Sequence, residues 1–129
     1  MKFIISIITV SFFMNLSYAQ FQSKDDLALE LIDNICGDTW CEGDFNFEFN
    51  NLEINKKDKS AVVNFEMIDE WYDTEKRFPT FCIIPNITSF KDIIDFNSNK
   101  KYLTDYFYET LSECISNRED HFREILDTL

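Results

Sequence analysis

Four cysteines behind an N-terminal leader set the tightest limit on what this chain can become. Lys2 is followed by the apolar stretch Phe3–Met14 and then by small residues at Ser17 and Ala19. A basic start, a short apolar run and a small-residue end are the three parts of a secretory signal peptide, with cleavage expected after Ala19. The run is shorter than the roughly 18–20 residues that cross a bilayer, and no later stretch approaches that length. The reading is therefore a signal peptide over 1–19 and a single mature domain over 20–129, secreted or periplasmic.

In an oxidising compartment, an even number of cysteines in a small chain implies disulfides. Cys36, Cys41, Cys82 and Cys114 allow three connectivities. Cys36 and Cys41 flank a short turn and can meet. That pairs Cys82 with Cys114, closing rings whose loop entropies are worth about 2 and about 3.5 kcal/mol. Zinc is the rival use of these thiols, but the chain offers one loose cysteine pair and no second cysteine or histidine pair.

The pattern of apolar residues supplies the elements. Ser23 with Asp26 three residues on has the form of a capping box, and Ala28, Leu31, Ile32 and Ile35 recur at helical spacing, giving a helix over about 24–36. Phe45, Phe47 and Phe49 alternate with Asn46, Glu48 and Asn50, as in a half-buried strand. The apolar parity then switches to Leu52 and Ile54, which predicts a β-bulge at Asn50-Asn51. After a polar turn at Lys56–Ser60, a second strand runs from Ala61 to Trp71 with Val63, Phe65 and Met67 on one face. A turn at Asp73–Lys76 leads to a third strand, Arg77–Ile84. The rest reads as helix: a short one from Ser89 to near Asn97, and a long one from about Asn99 whose apolar stripe includes Leu103, Phe107, Leu111, Cys114 and Ile115. Ser116–Glu119 either caps a fresh helix or lies within the same one. The fold class is two-layer α+β: an N-terminal helix, a three-stranded antiparallel meander, two or three C-terminal helices on one sheet face, and two disulfides.

Charge narrows the partners. The whole chain carries −12, and losing Lys2 with the leader makes the mature domain one unit more negative. Such a surface repels nucleic acid and anionic membranes. The acidity is densest in the N-terminal third, where Asp25, Asp26, Glu30, Asp33, Asp38, Glu42, Asp44, Glu48 and Glu53 stand against Lys24 alone.

Catalytic signatures are missing from the sequence. It has no G-x-S-x-G, glycine-rich phosphate loop or H-E-x-x-H, and oxidised cysteines are not nucleophiles. The one histidine, His121, lies among Arg118, Glu119, Asp120 and Arg123 and reads as solvated helix surface. The expectation is a non-enzyme without cofactor.

The most concentrated feature is the run from Cys36 to Asp44, which holds both glycines of the chain, Gly37 and Gly43. A small disulfide ring would present Asp38, Thr39 and Trp40 with little ordering entropy left to lose, and Glu42 and Asp44 extend the acidic surface. The opposing use has Trp40 packed beneath the ring as core. Asp38, Glu42 and Asp44 also offer hard oxygen ligands for Ca²⁺, although not at EF-hand spacing. Asn86-Ile87-Thr88 forms an N-glycosylation sequon for a host that modifies secreted asparagine. The functional expectation is a small secreted acidic binding protein that recognises a basic protein. The alternatives are a Ca²⁺-binding secreted structural domain and, further off, a carboxylate-based hydrolase.

Overall fold

The structure, a computed structural model, describes residues 23–36, 45–71, 74–97 and 101–128. Helix α1 (Lys24–Cys36) precedes three strands, β1 (Asn46–Asn55), β2 (Ser60–Trp71) and β3 (Thr74–Pro85). A single 3₁₀ turn (Phe90–Asp92) leads to two short strands, β4 (Ile94–Asp95) and β5 (Tyr102–Leu103), and helix α2 (Asp105–Asp127) follows.

The main sheet is the expected antiparallel meander in the order β1-β2-β3. The bulge falls where the change of parity requires it. Phe49 pairs with Phe65 and Asn51 with Asn64, so Asn50 is the extra residue. It lets Phe47 and Phe49 on one side of the bulge, and Leu52 and Ile54 on the other, address the same face. That face is the core. Ala61, Val63, Phe65 and Met67 of β2 are fully or almost fully buried, with Cys82 and Ile84 of β3 beside them. Helix α1 contributes Ala28 and Ile32, and α2 contributes Phe107, Leu111, Ile115 and Phe122.

The two helices divide the inner face, α1 lying against β1 and α2 against β3. The second contact has a legible register. The Tyr106 hydroxyl donates to the Pro85 carbonyl (2.6 Å), Cys114 is bonded to Cys82, Arg118 Nε donates to the Phe81 carbonyl (3.2 Å), and Phe122 stacks on Phe78 at 4.9 Å. Ascending helix numbers meet descending strand numbers, so α2 runs antiparallel to β3. Sixteen helical residues rise about 24 Å and seven strand residues about 23 Å, which is why the series of contacts stays in step.

Three expectations are corrected. The turn at Asp73–Lys76 is shorter: Thr74, Glu75 and Lys76 already pair with Trp71, Glu70 and Asp69. The short helix after Ser89 is one 3₁₀ turn, after which Ile94 pairs with Leu103 and Asp95 with Tyr102. The long helix begins at Asp105 rather than near Asn99, with Leu103 in a strand, and it then runs unbroken through Ser116–Glu119. One helix and one turn therefore replace the two or three C-terminal helices.

The cause of the last two differences is Thr104. Its backbone N–H donates to the Ile93 carbonyl (2.8 Å), its hydroxyl donates to the Asp92 carbonyl (2.7 Å), and its Oγ1 accepts the Phe107 N–H (3.3 Å). An N-cap tied to the preceding turn stops the helix there. Phe90, Ile93 and Ile94 are too few to distinguish a helical period from a turn followed by a strand.

The turn itself is fastened by Asp92. Its Oδ2 accepts the Thr88 N–H (2.8 Å), the Thr88 hydroxyl (3.1 Å) and the Ser89 N–H (3.3 Å). These donors, the Thr88 amide foremost, hold its carboxyl below the usual carboxylate range. Of the two expected disulfides, Cys82–Cys114 is present, with Cα atoms 6.1 Å apart. Cys36 closes α1, and its pairing with Cys41 lies outside the described residues.

Two tests follow from this packing. Replacing Cys82 and Cys114 together by alanine should lower unfolding free energy by about 3–4 kcal/mol in denaturant titration, the loop-entropy value for a bridge of this span. A loss below about 1 kcal/mol would show that α2 is held by packing alone. The second test concerns Asp92, whose depressed folded pKa gives stabilisation that is present above the unfolded value and lost as pH falls below about 4. Wild type should therefore exceed Asp92→Asn in stability at pH 7, and the gap should close on acidification. A gap independent of pH would show that the charge on Asp92 contributes nothing.

Candidate functional site

Because Val63, Phe65 and Met67 point inward, their neighbours in sequence must form the opposite face. The pairing then sets that outer face out in rows. Glu53, Val62 and Ile83 form one row, Asn51, Asn64 and Phe81 the next, then Glu48, Glu66 and Pro79, and then Asn46, Ile68 and Arg77. Glu70 and Glu75 close the series.

Two properties distinguish this face. Phe81 is 47 % and Ile83 56 % exposed, among the large apolar side chains left most open to solvent. Their exposure follows from β3 itself: Cys82 must face Cys114 and Ile84 must face the core, so the intervening residues have nowhere else to go. The charged positions of the face are acidic but for one, with Glu48, Glu53, Glu66, Glu70 and Glu75 against Arg77, while Ile68 in the Arg77 row is buried at 6 % exposure.

Arg77 is the centre of that charge. Nη1 reaches Glu48 at 2.9 Å and Glu66 at 2.6 Å, while Nη2 and Nε grip Glu75 at 2.7 and 2.9 Å. The hydrogen bonds it donates to Glu48 and Glu66, followed by the pairing with Glu75, hold the guanidinium above its ordinary range. The arrangement joins three strands through one side chain. It also shows that the carboxylates on this face are spaced to receive a guanidinium fork. Beside Arg77, Asn64 Nδ2 donates to Asn51 Oδ1 at 2.6 Å, tying β2 to β1.

The residues singled out from sequence fall in three groups. Asp38, Thr39, Trp40, Cys41, Glu42 and Asp44 lie outside the described residues, and with them the calcium set Asp38, Glu42 and Asp44. Among the described residues, no group of three or more histidine, cysteine or acidic side chains is arranged to hold a metal ion. The segment bearing the loop enters the sheet at Asn46, in the same row as Arg77. Asn86 is exposed immediately after β3 with φ 61°, a left-handed conformation that asparagine tolerates well. His121 is exposed on α2, its ring centroid 5.8 Å from that of Phe78.

The alternation read from sequence puts Asn46 and Glu48 opposite the phenylalanines, where the structure exposes them, but it missed Arg77, Phe81 and Ile83. The signal was present in Cys82. Once Cys82 is bonded to a core-facing helix, period-two alternation sends Phe81 and Ile83 outward. No helix among the described residues is long and apolar enough to cross a membrane. Compared with known proteins, the chain matches no family model, no curated protein and no solved structure.

Arg77 generates a prediction about salt. Arg77→Ala leaves Glu48, Glu66 and Glu75 to repel one another across the face, so its Tm should fall below wild type at low ionic strength and recover as salt is added. A deficit that salt does not reduce would mean that Arg77 acts through packing.

Proposed function

We propose that this is a small secreted or periplasmic binding protein, stapled by disulfides and without catalytic activity, that captures a basic protein partner on the outer face of its sheet, at its glutamates and exposed Phe81 and Ile83. The observation that carries the reading is the seating of Arg77 among three glutamates, next to exposed Phe81 and Ile83. A partner offering arginine or lysine beside aliphatic side chains meets both halves of this surface. Its cations pair with Glu53 and Glu70 or displace Arg77 from its carboxylates, and its apolar groups cover Phe81 and Ile83.

Each half has a separate part. Burying two exposed apolar side chains supplies affinity that is insensitive to salt, at about 25 cal/mol for each Å² removed from water. The glutamates steer encounter and reject acidic partners, which the strongly negative chain repels in any case. A ring closed by Cys36 and Cys41 would offer Asp38, Thr39 and Trp40 as a second, preorganised contact for the same partner.

The test is capture from the native exported fraction with the mature, oxidised protein, its mass fixing the N-terminus at Gln20. Titration of whatever is retained follows. A basic protein should elute at moderate salt. Phe81→Ser combined with Ile83→Ser, and separately Trp40→Ala combined with Asp38→Ala, should each weaken its binding at least about tenfold, or 1.4 kcal/mol, while Tm stays close to wild type. Retention of nothing basic at low salt, or binding by the Phe81→Ser, Ile83→Ser variant as tight as wild type, would overturn the assignment.

A further inference from the structure

We infer that the groove between the start of α1 and the Ser89–Phe96 segment binds a small organic anion with a flat apolar body, of the aryl-carboxylate class. The inference stands apart from the sheet face, using none of its residues apart from Glu53 at the boundary. The beginning of α1, the end of β1 and the Ser89–Phe96 segment leave two open grooves between them. One, of about 370 Å³, is lined by Lys24, Ser89, Phe90, Lys91 and Phe96. The other, of about 600 Å³, shares Lys24, Ser89 and Phe90 and adds Lys56, with Asp25 and Glu53 also on its wall. Both volumes fall within the usual range for small-ligand sites.

Charge makes the smaller groove unusual. Acidic residues outnumber basic ones 24 to 12 in this chain, yet the smaller groove has two lysines on its wall and no carboxylate. Lys101 adds a third cation. The ammonium groups of Lys24 and Lys101 lie 6.0 and 5.6 Å from the centroid of the Phe96 ring. None of Lys24, Lys56, Lys91 and Lys101 makes an ion pair among the described residues, where Arg77 and Arg123 hold several carboxylates each.

The ammonium groups of Lys24 and Lys101 share one aromatic ring and Lys91 lines the same groove, so these cations repel one another, while the nearby carboxylates of Asp25 and Glu53 lie on the wall of the adjoining groove. An anion between Lys24 and Lys91 removes that repulsion. The class of ligand follows from the remaining walls. Phe90 and Phe96 offer aromatic surface beside the cations, and Phe96 is 37 % exposed. An inorganic anion would leave that surface wet. A planar aryl group attached to a carboxylate covers it while its head meets the ammonium groups.

The groove is also held in shape. Its Ser89–Phe90 wall belongs to the turn fastened by Asp92, and Lys24 is set by the capped start of α1, where Ser23 Oγ accepts the Asp26 N–H at 3.1 Å. Little backbone ordering is left for a ligand to impose, and the lysine side chains are what it must still order.

The experiment uses 2-naphthoate as probe and the mature, oxidised protein, followed by NMR chemical-shift titration. Saturable shifts are expected at Lys24, Ser89, Lys91 and Phe96, with Kd below about 1 mM. Lys24→Gln combined with Lys91→Gln should weaken binding at least about tenfold, and Phe96→Ala comparably, while Lys76→Gln on β3 leaves it unchanged. All these positions are on the surface, and unchanged amide spectra of the free variants confirm that they fold. Neutral 2-naphthylmethanol should bind at least about tenfold more weakly than the acid. Equal binding by the neutral probe, shifts centred on Phe81 and Ile83, or no saturation would each overturn the inference.

Discussion

Alternation along a strand lets only every second side chain join the core, and in this fold that constraint spreads outward from β2. Val63, Phe65 and Met67 face the helices, so Asn64 and Glu66 face water. The ladders carry the choice to both neighbours. In β1 it is kept through the bulge at Asn50, without which Leu52 and Ile54 would point away from the core. In β3 it places Cys82 where Cys114 can reach it and leaves Phe81 and Ile83 exposed. The exposed apolar residues are a consequence of the disulfide strand and not an accident of composition.

The second organising feature is the match in rise between α2 and β3. Contacts from Tyr106–Pro85 to Phe122–Phe78 keep step because a helix needs more than twice as many residues as a strand to cover the same distance. The disulfide falls within this series, so it closes a contact already specified by packing on either side. Arg118, by occupying the Phe81 carbonyl, also helps to cover an edge strand that would otherwise invite pairing with another chain.

Charge, like polarity, is unevenly divided. The outer sheet face gathers glutamates around one arginine, whereas the groove by α1 gathers lysines around a phenylalanine. The two surfaces favour ligands of opposite sign, and a net charge alone conceals this. An acidic composition describes the molecule as a whole, but it says nothing of where the few cations collect.

The sequence by itself determined what local periodicity and chemistry can specify: α1 from its cap and apolar spacing, the meander from alternation and polar turns, the bulge from a change of parity, and the Cys82–Cys114 pair from the apolar stripe that carries Cys114. These features depend on neighbours within a few residues, or on one face having to be apolar. Only the tertiary structure decided the rest. Thr104 ends one segment and begins another because Asp92 and Ile93 come within hydrogen-bonding distance, and no pattern around Leu103 records that. Arg77 meets Glu48 across 29 positions, and Lys24 meets Phe96 across many more, because strand pairing and helix docking bring them together. Charged side chains on a surface have no period to betray their partners, so their meeting places emerge only when the backbone has closed.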